Sequence, residues 1–233
     1  MPPRPSVPKR TLIRSRVLAE AVALADELGV DALSMRKLAD RMGVGTMSLY
    51  THVANKDDLV EGIVDMVVQE IDVPAATEDW RRAIGDSAAS AHRVLLAHPW
   101  VAGEWTKRMP GPARLRFMEA ILATLTRAGL DESLVYRGYH AITMHIVGFT
   151  IQELGYRSAG GDAGLDDLAT GFLDSLAAAD LPHLATHVRA HLGVQDYGDE
   201  FGFVLGLLLD GLQRAHGPER DSSDTRPHGF GHR

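Results

Sequence analysis

The side chains best suited to polar chemistry in this chain are crowded into Gly45-Thr46-Met47-Ser48-Leu49-Tyr50-Thr51-His52. Hydroxyls, an imidazole and a thioether lie together there with no carboxylate or thiol among them. The run has the parts of a nucleic-acid contact. Ser48, Tyr50 and His52 suit phosphate oxygens, and Met47 suits a thymine methyl. Lys56 follows at the start of another helical pattern, where the positive helix end already favours an anion. Other candidates are weaker. His183, His187 and His191 recur every four residues and share one helix face, a spacing that can bind a divalent metal. A solvated polar stripe is the commoner meaning of such a row, and Asp180 and Asp196 fall outside its helix, so no metal is assigned. The carboxylate pairs Asp57-Asp58 and Asp166-Asp167 sit at helix starts, where the helix dipole accounts for them. The chain has no cysteine, which removes disulfides, thiolate metal sites and a thiol nucleophile. No Gly-rich phosphate loop, nucleophile elbow or HExxH is present, so no enzyme is expected and no cofactor.

The elements that must position these residues read as helices throughout. Leu12, Ile13, Val17, Leu18, Ala21, Leu24, Ala25 and Leu28 recur at three- and four-residue steps, and Gly29 closes the pattern. Ser34 is an N-cap for Met35–Met42, which Gly43 ends, and Thr46 is placed to cap a short helix reaching His52. Asn55 starts a helix from Lys56 to about Ile71, and Pro74 marks a break. Further helices are expected over Trp80–Ala97, Trp100–Lys107, Pro112–Ala128, Asp131–Tyr156, Asp166–Ala179, Pro182–Leu192 and Asp199–His216, with a glycine-rich loop over Ser158–Gly164. No stretch alternates as a strand does, so the fold class is all-α. The division follows: a basic flexible arm over 1–10, a helix-turn-helix unit over 11–72, a larger helical unit over 73–216, and a disordered tail over 217–233.

The 233 residues carry a net charge of −7, which taken alone argues against nucleic acid. The distribution reverses that. Residues 1–56 hold nine Lys and Arg against five acids, a balance of +4 that leaves −11 for the remainder. The opening MPPRPSVPKR is basic and Pro-rich rather than apolar, so no secretion signal is read there. No run approaches the ~18 apolar residues of a membrane span. A cytoplasmic protein with no membrane partner is expected.

Residues 12–60 resemble the DNA-binding domain of the TetR family of bacterial transcription regulators. The likeness rests on Leu28-Gly29-Val30, on Leu33-Ser34-Met35-Arg36-Lys37-Leu38-Ala39, on Met42-Gly43-Val44, and on Ser48-Leu49-Tyr50-x-His52-Val53-x-Asn55-Lys56-x-x-Leu59. It implies that Arg36, Thr46, Met47 and Ser48 approach base edges and that Tyr50, His52 and Lys56 hold the backbone. Lys37, Gly45 and Thr51 complete the expected DNA-contacting set. The remainder is similar to the regulatory domain of the tetracycline-repressor branch, through His98-Pro99-Trp100 and the run Asp199–Leu212. That likeness implies a homodimer built on Asp131–Tyr156 and Asp199–His216. Phe201, Val204, Leu205, Leu208, Leu209 and Leu212 make the latter apolar on more than one face, which suits either a dimer interface or a fully buried helix. A small-molecule pocket is implied near residues 80–155, with Ser87, Ala91, Leu95, Trp105, Phe117, Ile121, His140 and Met144 as candidate lining. Core packing is the commoner role for each. Trp105 stands where that branch holds magnesium with a histidine, so tetracycline–magnesium is not the expected effector.

The sequence therefore reads as a homodimeric, ligand-responsive repressor released from a palindromic operator by a small molecule. The other reading is an all-α small-molecule-binding protein or enzyme with an incidental helix-turn-helix.

Overall fold

The computed structural model describes residues 13–159, 172–176, 178–192 and 199–217. The expected arm over 1–10 lies outside the described residues, as do 218–233 of the expected tail over 217–233, 160–164 of the expected loop Ser158–Gly164, and 166–171 and 177 of the expected helix Asp166–Ala179. Among the described residues every regular element is a helix.

Helix α1 (Arg14–Leu28) buries Val17, Leu18, Ala21, Val22, Leu24 and Ala25 on one face, and Gly29 ends it by returning its N–H to the Ala25 carbonyl. Helix α2 (Met35–Met42) starts where the Ser34 hydroxyl accepts the Lys37 N–H at 3.2 Å. It stops at Gly43, whose φ of 65° any side chain would strain. Helix α3 (Thr46–Leu49) is shorter than the sequence suggests. The chain tightens into a turn at Tyr50–His52, where the Thr51 hydroxyl donates to the Ser48 carbonyl and the His52 N–H to Leu49. Leu49 and Val53 point inward on either side of that turn.

Helix α4 (Lys56–Val68) opens with reciprocal caps. Asn55 Oδ1 accepts the Asp58 N–H at 2.9 Å, and the Asp58 carboxylate accepts the Ala54 N–H at 2.7 Å. It ends three residues before the expected Ile71, in a tightened turn with Glu70 and Ile71 bonded three residues back. The larger part comprises α5 (Trp80–Ala97), α6 (Pro99–Trp105), α7 (Pro112–Arg127), α8 (Glu132–Ala159), α9 (Pro182–Leu192) and α10 (Glu200–His216). Residues 172–176 are also helical. Helix α8 runs through Ala159, past the expected Tyr156 and into the start of the expected loop.

Helix α8 is central and is packed by α5, α6, α7 and α10. Its inward row is Ile142, Ile146 and Thr150, and against it lie Phe117, Ile121 and Leu125 of α7 with Ile84, Ala91 and Leu95 of α5. The same buried apolar cluster runs without a break through Ile63, Val64 and Val67 of α4 into α1–α3. Helix α4 thus belongs to both ends of the molecule.

Candidate nucleic-acid interface

Helices α2 and α3 meet across the Gly43–Gly45 turn, and α3 is held from beneath by the fully buried Leu49. What remains outward is the surface of interest. Met47 is 78% exposed, an apolar side chain that the chain itself leaves in water. Ser48, Tyr50 and Thr51 are exposed around it, Gly45 is open, and Thr46 and His52 are half-buried. These residues form one face with hydroxyls surrounding an apolar point.

The cations near that face divide into two kinds. Arg36 stands out from α2 with its side chain 89% exposed and only a loose 3.9 Å approach to Asp40. The lysines brace their own surroundings: Lys37 Nζ donates to the Ala32 carbonyl at 2.9 Å and Lys56 Nζ to the Asp31 carbonyl at 3.1 Å. Each ammonium keeps further N–H donors for an anion. Both lysines therefore tie the α1–α2 turn to the helices that carry the exposed face.

Two arginines that the motif does not single out organise this end. Arg14 forks onto both carboxylate oxygens of Asp58 at 3.2 and 2.8 Å and also donates to the His52 carbonyl at 2.6 Å. It thereby clamps α1, the turn after α3 and α4 in one contact. The Arg14 hydrogen bonds, helped by the Ala54 N–H, hold the Asp58 carboxyl below its ordinary range. Arg41 forks onto Glu27 at 2.7 Å for both bonds and reaches Glu20 at 3.4 Å. That fork lowers the Glu27 carboxyl. Neither pairing is visible locally in the sequence, since Arg14 and Asp58 are 44 residues apart. A third joint lies in His98-Pro99-Trp100: His98 Nδ1 is 2.8 Å from Asp26 Oδ1, and the Trp100 indole donates to the same oxygen at 2.7 Å. It straps α1 to the start of α6.

The expected pocket residues separate. Ser87, Ala91, Leu95, Trp105, Phe117 and Ile121 are buried between α5, α6 and α7, with Trp105 set edge-on to Phe117 at 6.2 Å. The Ser87 hydroxyl donates to the Asp72 carbonyl and so closes the α4–α5 connection. His140 and Met144 do not join them. They lie two residues out of step with Ile142 and Ile146, which on a 3.6-residue period is the opposite side of α8, and Met144 is 72% exposed.

The expected interface residues of α10 also separate. Phe201, Leu205, Leu209 and Leu212 are buried within the protomer, while Val204 and Leu208 are half-buried. The large apolar groups that α10 leaves open are instead Phe203 and Leu207, with Tyr136, Met144 and Ile151 of α8 exposed likewise. A period-only reading cannot separate these rows, because α10 is apolar nearly all round. His183 and His187 are exposed, and the side chain of His191 lies outside the described residues. Among the described residues no three His, Asp or Glu side chains are grouped as a metal site, and no helix is long and apolar enough to cross a membrane.

Comparison with known proteins matches both ends of the chain. Residues 17–63 match bacterial regulatory proteins of the tetR family, and residues 73–215 match the tetracyclin repressor-like C-terminal domain. An HTH-type transcriptional regulator of Saccharopolyspora erythraea is 33% identical over 220 residues, covering 94% of this chain and 92% of the relative. The HTH-type transcriptional repressor DrrR1 of Streptomyces coeruleorubidus is 33% identical over 218 residues, covering 88% of this chain and 79% of the relative. Among solved structures, the Streptomyces coelicolor TetR family protein ActR in complex with actinorhodin superposes with a TM-score of 0.74 at 29% identity, covering 90% of this chain and all of that one.

Proposed function

The chain belongs to the TetR family of bacterial transcription regulators, and from that premise we propose that it acts as a homodimeric repressor that a small molecule releases from a palindromic operator. The observation that carries the DNA half is the α3 face. Met47 stands in water among Ser48, Tyr50 and Thr51, and Arg36 extends freely from the preceding helix. In this reading Arg36, Thr46, Met47 and Ser48 meet base edges, and Tyr50, His52, Lys37 and Lys56 meet phosphates with Gly45 and Thr51 close to the backbone. Half-sites lie about one helical turn apart or slightly more.

The dimer half rests on the apolar stripe of α8 and α10. Tyr136, Met144 and Ile151 with Phe203 and Leu207 give a continuous pair of helix faces that a monomer would leave in water. Val204 and Leu208 flank the stripe, and His140 sits within it between Tyr136 and Met144, edge-on to Tyr136 at 4.5 Å. This assigns His140 and Met144 to the interface rather than to a pocket.

The effector site in this reading lies among α5–α8, where Trp105, Phe117, Ile121, Ala91 and Leu95 suit a largely apolar molecule with one or two polar groups. ActR, by its structure with actinorhodin, is a relative that holds a small molecule. The effector releases DNA only by as much as it prefers the conformation whose two DNA-binding ends are wrongly spaced. Residues 13–72 form the DNA-binding end and 73–216 the regulatory part, with α4 as the lever between them.

The test is retention of sheared genomic DNA by the full chain, followed by a salt titration on the retained duplex. Affinity must fall steeply with salt. An effector found by release of that duplex must in turn be weakened by the duplex by the same factor. Retention that ignores salt, or release without that reciprocity, removes the reading.

A further inference from the structure

One face of α4 carries Asp57, Glu61 and Asp65 at four-residue steps, all turned to the connection between α6 and α7. At the inner end the contact is close. Asp65 Oδ1 accepts the Ala113 N–H at 2.7 Å and so caps α7 from a different helix. Gly111 passes so near that a Cβ there would stand 2.6 Å from the same oxygen. At the outer end the contact is a single guanidinium. Arg108 Nε donates to Glu104 Oε2 at 2.8 Å, while its two terminal nitrogens reach Asp57 at 3.4 Å and Glu61 at 4.0 Å.

Glu104 is 6% exposed, an unusual place for a carboxylate. Burial pushes its carboxyl up, and the bonds from Arg108 and Lys107 outweigh that and hold it down. It is therefore an ionised anchor that aims Arg108 outward at α4. Between the two ends lies a cleft of about 150 Å³ bordered by Glu61, Asp65, Arg108 and Arg114. On this face of α4 charge and hydrogen bonds are thus added to the apolar packing of Ile63, Val64 and Val67.

Resting on the DNA-binding reading above, we propose that Arg108 is a positioning residue for DNA binding, acting through Asp57 and Glu61. It does two things. It sets the tilt of the first turn of α4, which carries Lys56 and braces α3. It also offsets part of the charge of two carboxylates on the first turns of α4 that would otherwise repel phosphate. The regulatory part thereby adjusts the charge at the DNA end through one side chain of the α6–α7 connection. Asp57 and Glu61 are 81% and 65% exposed, so each pair is weak and screened, and the device tunes affinity without holding the fold together.

The experiment is a double-mutant cycle on the affinity of the full chain for the duplex it retains from genomic DNA. Arg108→Gln should weaken binding about fivefold at ~0.05 M salt, and by less than about twofold when Asp57→Asn and Glu61→Gln are already present. The difference between the two backgrounds should vanish by ~0.3 M salt, which a merely structural role would not do. Arg108→Lys, which keeps the charge, must lose less than Arg108→Gln, and its thermal unfolding checks that the fold is intact. Equal loss in both backgrounds, a salt-independent loss, or no loss at all overturns the proposal while leaving the DNA reading in place. Failure of the unaltered chain to retain any duplex takes both down.

Discussion

Helices α3 and α10 both leave large apolar side chains in water, and they do so in different settings. Met47 on α3 has the exposed Ser48, Tyr50 and Thr51 as chain neighbours, and Arg36 on α2 is 89% exposed with only a loose approach to Asp40. Phe203 and Leu207 on α10 are instead continued by Met144, Ile151 and Tyr136 of α8. Exposure alone does not name a partner. A single apolar point in a polar, cationic setting fits a base edge and its phosphates, whereas a stripe of apolar groups along two helices fits another protein surface.

The contrast between rows on α10 is the sharpest place to break this. Leu205 is 4% exposed and Leu207 is 53% exposed, two residues apart on one helix. Leu205→Glu puts an unpaired charge into the protomer's core and should cost about 4 kcal/mol or more, seen as loss of cooperative thermal unfolding. Leu207→Glu combined with Phe203→Glu should keep helix content and unfolding cooperativity while sedimentation shows a monomer. Operator affinity should then fall about 100-fold, because one half-site remains per molecule. A folded double variant that stays dimeric moves the interface off this stripe.

At α3 the effects are smaller and separable. Tyr50→Ala and Lys56→Ala should each weaken binding about tenfold to every sequence, and Lys56→Ala should reduce the salt slope by about 1. Arg36→Ala should cost about 1–3 kcal/mol on the best site and little elsewhere, so that competition between sites flattens. A uniform loss from Arg36→Ala would make it a phosphate contact instead.

The smallest effect is on acid stability. Asp58 has its carboxyl lowered by Arg14, so its contribution is complete above the unfolded value near 4 and disappears as pH falls through the lower folded value. Asp58→Asn should flatten the acid limb of a stability–pH curve below pH ~5, with little change in its shape at neutral pH. An unchanged acid limb would remove the Arg14 clamp from the energetics of the DNA-binding end.

The helix-turn-helix was legible because its signals are local. Ser34, Gly43 and Asn55 each act within three or four residues of where they stand, and the structure uses them as caps in those places. Helix α3 stops short of His52 for a local reason too, since the Thr51 hydroxyl and the His52 N–H close a turn that periodicity does not register. In α8 and α10 the pattern is apolar around most of the helix, so the inward and outward rows could be separated only once their neighbours were in place. The contacts of Arg14 with Asp58, Arg41 with Glu27 and Arg108 with Asp57 link residues distant in sequence, and no spacing rule reaches them.

The pairing of Arg14 with Asp58 and of Arg41 with Glu27 and Glu20 bears on how quickly this molecule finds its site. Over residues 13–56 six basic residues face five acids, a surplus of only +1, whereas Arg4, Lys9 and Arg10 contribute +3 within the first ten residues. The long-range pull on a polyanion therefore originates mainly at the chain's start, and the α3 face itself adds little to it. Encounters with unrelated duplex should be brief, and most of the gain at the right sequence should appear as slower departure rather than faster arrival. Within a genome of competing sites, weak general stickiness leaves more of a small number of copies free to occupy the operator.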